Sequence, residues 1–182
     1  MGVVWALPAQ PPFFDYYNRT MAEPPSERRI GDLLRAKNLT LVTAESCTGG
    51  LIGHLLTEVA GSSDYYLGGA VTYSNDMKEH VLGVLKETMI AHGAVSEQVA
   101  REMAIGARAR FGGDIGVSVT GIAGPGGGTD EKPVGLTFIG LSTPWGDTVR
   151  RFVWESDREG NKRLSAEAAL ELIVEEVSKN GD

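Results

Sequence analysis

Several absences in the 182-residue sequence narrow its function before any motif is considered. There is one cysteine, Cys47, so no intramolecular disulfide can form and a reducing compartment is expected. The three histidines, His54, His80 and His92, form no HExxH or other metal-ligand spacing. No metal and no cofactor are therefore expected. No apolar run is long enough for a membrane span, and the apolar start Met1 to Leu7 lacks basic residues and is cut off by Pro8, Pro11 and Pro12. Neither signal peptide nor membrane attachment is expected, and the location is read as cytoplasmic. Positive charge is also scarce. The formal net charge is -7 and the nearest basic pairs, Arg28-Arg29 and Arg150-Arg151, are isolated, which argues against a nucleic-acid partner. An anionic ligand would have to be held at short range by backbone dipoles and one or two cations.

What is present suits one ordinary domain, with 42% hydrophobic and 23% charged residues. Residues 1–25 combine scattered aromatics with prolines and show no period, so they read as a flexible arm; docking of those aromatics on a partner subunit is the alternative. A homo-oligomer is expected. The domain proper is placed at 26–182. Ser26 reads as the N-cap of a helix running to Asn38. Leu39 to Ala44 alternates as a strand and runs through Glu45-Ser46-Cys47-Thr48-Gly49-Gly50 into a helix carrying Leu51, Ile52, Leu55, Leu56 and Val59. A second strand, Tyr65 to Tyr73, enters a short helix through Ser74 and Asn75. Ser96 caps a helix that ends near Gly112, and Ile115 to Thr120 forms a buried strand. After a glycine-dominated loop, strands from Gly135 to Ser142 and Thr148 to Trp154 flank the turn Pro144 to Asp147, and a final helix spans about Arg158 to Ser178. Helices alternating with strands, then a hairpin, predict an α/β fold: a three-layer α/β/α sandwich whose mixed sheet has parallel strands plus a C-terminal antiparallel hairpin.

Ser46 occupies a turn between strand and helix, where unpaired amides near Cys47 and Thr48 and the helix dipole could stabilise an oxyanion. Gly49 and Gly50 would leave room for a substrate. The plainer reading is that Ser46 or Thr48 merely caps the helix. A serine needs a base, and no histidine is well placed to be one. Lys78, at the mouth of the second strand, is the remaining candidate if burial holds its pKa down; a solvated helix lysine is the alternative. Cys47 is a rival nucleophile, since helix N-termini lower thiol pKa values, although a small buried cysteine is the commoner fate. The loop from Gly121 through Gly124 to Thr129 is neither a P-loop nor GxGxxG, yet converging amides with Lys132 could hold a phosphate. A mobile surface loop is the other reading of it.

Four ordered blocks make the sequence recognisable: Thr43-Ala44-Glu45-Ser46-Cys47-Thr48-Gly49-Gly50; Val71-Thr72-Tyr73-Ser74-Asn75 with Lys78; His92-Gly93-Ala94-Val95-Ser96; and Gly121-Ile122-Ala123-Gly124-Pro125 with Glu131-Lys132-Pro133-Val134-Gly135. From about Ser26 to Lys179 the chain resembles the CinA C-terminal domain family, the nicotinamide mononucleotide deamidases also called competence/damage-inducible CinA-like proteins. The resemblance implies hydrolysis of nicotinamide mononucleotide to nicotinate mononucleotide and ammonia, a salvage step of pyridine nucleotide metabolism, without metal. It implies a Ser/Lys site at Ser46 and Lys78, with Tyr73 as helper, and a pocket lined by Thr48, Thr120, Gly121 and Gly124. Arg158, in the Asp-Arg pair retained from the family, is implied on the substrate phosphate. The sequence departs from the family pattern at Gly126, where relatives often carry an acidic residue, and at Glu155-Ser156, which lacks the small glycine that usually precedes Asp157-Arg158. The larger N-terminal domain of full-length relatives is not in this sequence, so a stand-alone deamidase is expected. Two other readings remain open at this point: a nucleotide-sensing or protein-interaction module without chemistry, linked to competence or DNA damage, and a cysteine amidase.

Overall fold

The computed structural model describes residues 24–180, so the arm expected at 1–25 lies almost wholly outside the described residues. The elements in chain order are α1 (Ser26–Lys37), β1 (Leu41–Glu45), α2 (Leu51–Thr57), β2 (Tyr66–Val71), α3 (Asn75–Met77), α4 (Lys86–His92), α5 (Glu97–Phe111), β3 (Ile115–Gly121), β4 (Leu136–Thr143), β5 (Gly146–Val153) and α6 (Arg158–Asn180). The five strands form one sheet in the order β2-β1-β3-β4-β5. β1 pairs with β2 and β3 in parallel, while β3, β4 and β5 pair antiparallel, as expected of a mixed sheet ending in a hairpin.

Strand β1 is buried along its whole length because it has neighbours on both sides and helices on both faces. Its alternation divides the core. Leu41, with Val117 and Val119 of β3, joins the layer made by Ile30 and Leu34 of α1, Ile52 and Leu56 of α2, and the buried side of α6. Val42 and Ala44 point the other way, to Val99, Met103 and Ala107 of α5. On that second face the sheet carries small residues, and α5 rides close to it. A Cβ on Gly140 would lie 2.5 Å from the Ala100 carbonyl oxygen and 2.7 Å from Ser118 Oγ. Ser118, fully buried, spends its hydroxyl on that same Ala100 carbonyl at 2.6 Å.

Local signals hold in several places. Ser96 caps α5, its Oγ accepting from Val99 N, and Ser74 caps α3, accepting from Met77 N. Gly112 closes α5 in the left-handed conformation. The N-cap of α1, however, is Pro25, and Ser26 is the first helical residue; its hydroxyl donates to the Glu171 carboxylate on α6, a partner that no local pattern announces. α4 lacks any buried residue and so has no periodic apolar face to betray it; its start is held from outside by Glu102 of α5, which accepts from Leu85 N and Thr88 Oγ1. The hairpin turn is tighter than expected, since Thr143 already pairs with Gly146 and only Pro144 and Trp145 connect the strands. On α6, Leu164 is 37% exposed, while Ile173 and Val177 are buried as the helical period requires.

Among the described residues no helix is long and apolar enough to cross a membrane, and no group of three or more histidine, cysteine or acidic side chains could hold a metal ion.

The close approach of α5 can be tested by overfilling it. Gly140→Ala is expected to lower unfolding free energy by about 1–3 kcal/mol. Gly126→Ala, where nothing lies within 4 Å of the added carbon, is expected to stay within about 0.5 kcal/mol of the parent in the same urea titration.

Candidate active site

The carboxyl ends of the parallel strands β2, β1 and β3 lie side by side, the edge at which open α/β sheets bind ligands. β1 ends at Glu45 and the chain turns through 46–50 into α2. Ser46 opens that turn, fixed by its own N–H on the Val119 carbonyl of β3 at 2.9 Å. It is 8% exposed.

Lys78 reaches it from the β2 side. Three residues beyond the start of α3 the helix widens into a π turn over Lys78–Leu82, a local distortion of a kind frequent at functional sites. Lys78 is 2% exposed. Its Nζ donates to Ser46 Oγ at 3.0 Å and to the Thr72 carbonyl at 2.8 Å. Burial penalises the ammonium and lowers its pKa from 10.5 to about 8, against a weaker raising effect of the neighbouring Cys47. Lysine held in this way can surrender its proton near neutral pH and then accept one from a hydroxyl at hydrogen-bond distance. The solvated-lysine reading is excluded by this burial.

Cys47 has the opposite fate. It is buried, and burial pushes its pKa up from 9.0 to about 11; the amides of Cys47 and Thr48 and the charge of Lys78 pull it down but do not prevail. The thiol is therefore protonated at neutral pH, and of the two readings of Cys47 the small buried cysteine is the one the packing supports.

The helix start itself is already occupied. Glu45, 2% exposed, turns its carboxylate onto α2, where Oε2 accepts from Gly50 N at 2.9 Å and Ile52 N at 3.2 Å and Oε1 accepts from Gly53 N at 2.9 Å. The dipole and amides that might have held a ligand there are spent on this side chain. Upstream of it, the N–H groups of Cys47 and Thr48 meet no carbonyl among the described residues. Both lie against the Cys47 sulfur, whose pKa they lower.

Beside the turn lies a cleft of about 980 Å³, bordered by Thr48, Gly49 and Gly50 on one side and by the first turns of α6 on the other. Thr48 is 1% exposed and its Oγ1 is buried without a partner. Such a group is ordinarily satisfied by water or ligand. Lys162 and Arg163 face the same cleft, and among the described residues neither has a carboxylate or carbonyl partner. Lys162 Nζ lies 3.7 Å from where a side chain on Gly49 would begin.

Tyr73 is 62% exposed, and its hydroxyl accepts from Arg158 Nη2 at 3.0 Å; no hydrogen bond joins it to Ser46 or Lys78. Arg158 borders the cleft, with Nη1 on the Gly124 carbonyl at 2.7 Å. Because β1 lies between β2 and β3, a guanidinium that joins Tyr73 after β2 to Gly124 after β3 passes over the end of β1. The other expected pocket residues serve the scaffold. Thr120 Oγ1 donates to the Ala94 carbonyl, and Gly121 packs on Thr137 and Cys47. Lys132 Nζ donates to the carbonyls of His92 and Val95 and so fastens the glycine loop to the end of α4.

Residues 24–177 match the family model of the CinA C-terminal domain. The chain belongs to the CinA C-terminal domain family. It is 52% identical over 155 residues to a CinA-like protein of Chloroherpeton thalassium, covering 83% of this chain and 37% of that protein. A putative competence-damage inducible protein of Moorella thermoacetica is 52% identical over 147 residues, 81% of this chain and 36% of that one. The chain thus spans well under half the length of these curated relatives. Among solved structures, a CinA superfamily protein from Klebsiella pneumoniae superposes with TM-score 0.82 at 32% identity, covering 85% of this chain and 96% of the other. The competence/damage inducible protein CihA of Agrobacterium tumefaciens superposes with TM-score 0.76 at 40% identity, covering 86% and 98%. Within the CinA fold the residues not singled out by sequence were Lys162 and Arg163. The signal for Lys162 was present, four residues after Arg158 on the same helix face.

Burial of Lys78 makes a prediction about stability. Between about pH 8 and 10.5 the unfolded chain keeps a proton that the fold has lost, so this residue's contribution to stability rises with pH; below about 8 both states hold the proton and the penalty is constant. The penalty is on the order of 3 kcal/mol. Lys78→Met, which removes the charge but keeps the chain length, is therefore expected to hold or raise Tm at pH 7 despite losing two hydrogen bonds, as read by calorimetry.

Proposed function

We propose that the chain hydrolyses the carboxamide of nicotinamide mononucleotide to nicotinate mononucleotide and ammonia, through an acyl-enzyme on Ser46. The observation that carries this reading is the buried hydrogen bond between Lys78 Nζ and Ser46 Oγ at 3.0 Å, with the lysine pKa lowered to about 8. Membership of the CinA C-terminal domain family is consistent with an amidohydrolase; the names of the relatives specify no reaction.

Lys78, once deprotonated, takes the proton of Ser46 as Oγ bonds to the carboxamide carbon. The oxygen that gains charge is assigned to the N–H groups of Cys47 and Thr48, which meet no backbone carbonyl among the described residues. Lys78 then returns the proton to the amide nitrogen, the carbon–nitrogen bond breaks and ammonia leaves. Water attacks the ester, Lys78 accepts one of its protons and passes it to the departing Ser46 Oγ, and the acid so formed gives its remaining proton to solvent and leaves as carboxylate. The nucleotide phosphate is assigned to Lys162 and Arg163, which have no competing partner among the described residues, with Arg158 joining if it leaves Tyr73. Tyr73 would then act as helper through that exchange and not as a base.

Ammonia release from nicotinamide mononucleotide by the purified protein is the test. Ser46→Ala and Lys78→Ala are each expected to lose turnover on the order of 1,000-fold or more, with losses that do not add. Cys47→Ala is expected to keep it. For the parent protein, kcat is expected to climb with pH and level off above about 8, where Lys78 becomes neutral. Lys162→Met is expected to raise KM roughly tenfold, one charge-assisted hydrogen bond, with little change in kcat. Calorimetric binding of the mononucleotide with no ammonia released would replace the hydrolase by a nucleotide-binding module.

A further inference from the structure

Glu45 is a buried carboxylate that no step above uses. It does not face the cleft, and among the described residues no lysine or arginine forms a salt bridge with it. An ionised carboxylate at 2% exposure is costly unless its oxygens are satisfied, and here three backbone N–H groups satisfy them. An ordinary N-cap side chain reaches two or three residues ahead. Glu45 reaches five, seven and eight ahead, across the whole turn that holds Ser46.

The same residue is tied to the base. Its carbonyl accepts from Thr72 N at 2.7 Å, the Thr72 carbonyl accepts from Lys78 Nζ at 2.8 Å, and that Nζ donates to Ser46 Oγ at 3.0 Å. Glu45, Thr72, Lys78 and Ser46 form a closed circuit of hydrogen bonds and one peptide bond. The side chain of Glu45 closes the second half: it clamps the far end of the turn at Gly50, so that residues 46–49 are bracketed at both ends and Gly49 N turns back onto the Ser46 carbonyl at 3.1 Å.

We infer that Glu45 is the positioning residue of the site, its carboxylate setting the shape of the turn so that Ser46 Oγ stays on Lys78 and the Cys47 and Thr48 N–H groups converge on the same point. It acts through the backbone and touches no reacting atom. The inference rests on Ser46 being the nucleophile proposed above, and extends to any acyl substrate of that serine.

The variant Glu45→Gln retains the shape but turns an NH2 group toward an N–H donor, breaking at least one of the three bonds. Two readouts are taken well below the Tm of each protein: the rate at which a fluorophosphonate labels Ser46, located by peptide mass analysis, and kcat and KM for nicotinamide mononucleotide. Labelling and kcat are expected to fall on the order of 100-fold in Glu45→Gln, with KM within about threefold, because small misplacement of a nucleophile costs rate more than binding. Glu102→Gln, which breaks a carboxylate hold on the start of α4 away from the site, controls for loss of a helix-capping carboxylate and is expected to lower Tm while both readouts stay near the parent values. Labelling of Glu45→Gln within about threefold of the parent rate overturns the inference, whatever happens to Tm. Labelling of the parent without ammonia release rejects the proposed substrate only, and the labelling ratio still decides on Glu45. A parent protein that is neither labelled nor active rejects the nucleophile, and the inference with it.

Discussion

The arrangement at the sheet edge depends on one constraint: Lys78 must be buried against Ser46 although burial works against its charge. The fold meets the constraint by giving Nζ two oxygen acceptors, Ser46 Oγ and the Thr72 carbonyl. Two neutral acceptors leave the ammonium only partly compensated, which is why its pKa falls to about 8 instead of remaining at 10.5. A carboxylate in the same place would have stabilised the charge and removed the basicity. Glu45, the nearest buried acid in sequence, is instead turned onto α2, where it neutralises a helix end.

That division separates the two jobs of the site. The β1–α2 turn and the π turn after α3 carry the reactive pair, whereas the cations that could hold an anion come from α6, more than eighty residues later in the chain. P-loop proteins put a phosphate on the N-terminus of the helix that follows the first strand. Here that position is filled by the protein's own carboxylate, so an anionic group has to be held elsewhere. Lys162 and Arg163, one turn beyond Arg158 on α6, border the cleft instead.

The fold was legible because its signals are periodic. Alternation marked β1 and β3, an apolar stretch marked β2 and a turn placed β4 and β5, each within a few residues of its bounds, and the small residues after β1 located the turn that presents Ser46. Whatever depended on contacts between distant segments was not legible. The hydroxyl of Ser26 was lost to Glu171, α4 takes its cap from Glu102, and Lys132 is drawn into the carbonyls at the end of α4, none of which leaves a local pattern. Cys47 shows a competition that sequence cannot settle. A helix start lowers a thiol pKa and burial raises it, and the depth of burial, which only packing fixes, carries it to about 11. The contact of the Gly124 carbonyl with Arg158, across 34 residues, leaves no local pattern either.

The charge of the chain completes the argument. At a formal -7, and with a Debye length of about 8 Å in physiological salt, the protein's overall field neither draws in nor strongly repels an anion beyond contact range. Recognition must then come from a few cations whose partners are not already inside the protein. Arg150 is held by Glu175 at 2.6 Å, Arg101 by Glu97 at 2.9 Å and Arg35 by Asp64 at 3.3 Å, all away from the cleft. Lys162 and Arg163 differ from these in lacking such partners among the described residues, even though Asp157 and Glu159 lie on the same helix turn. Both border the cleft beside the turn that carries Ser46, opposite Thr48, Gly49 and Gly50.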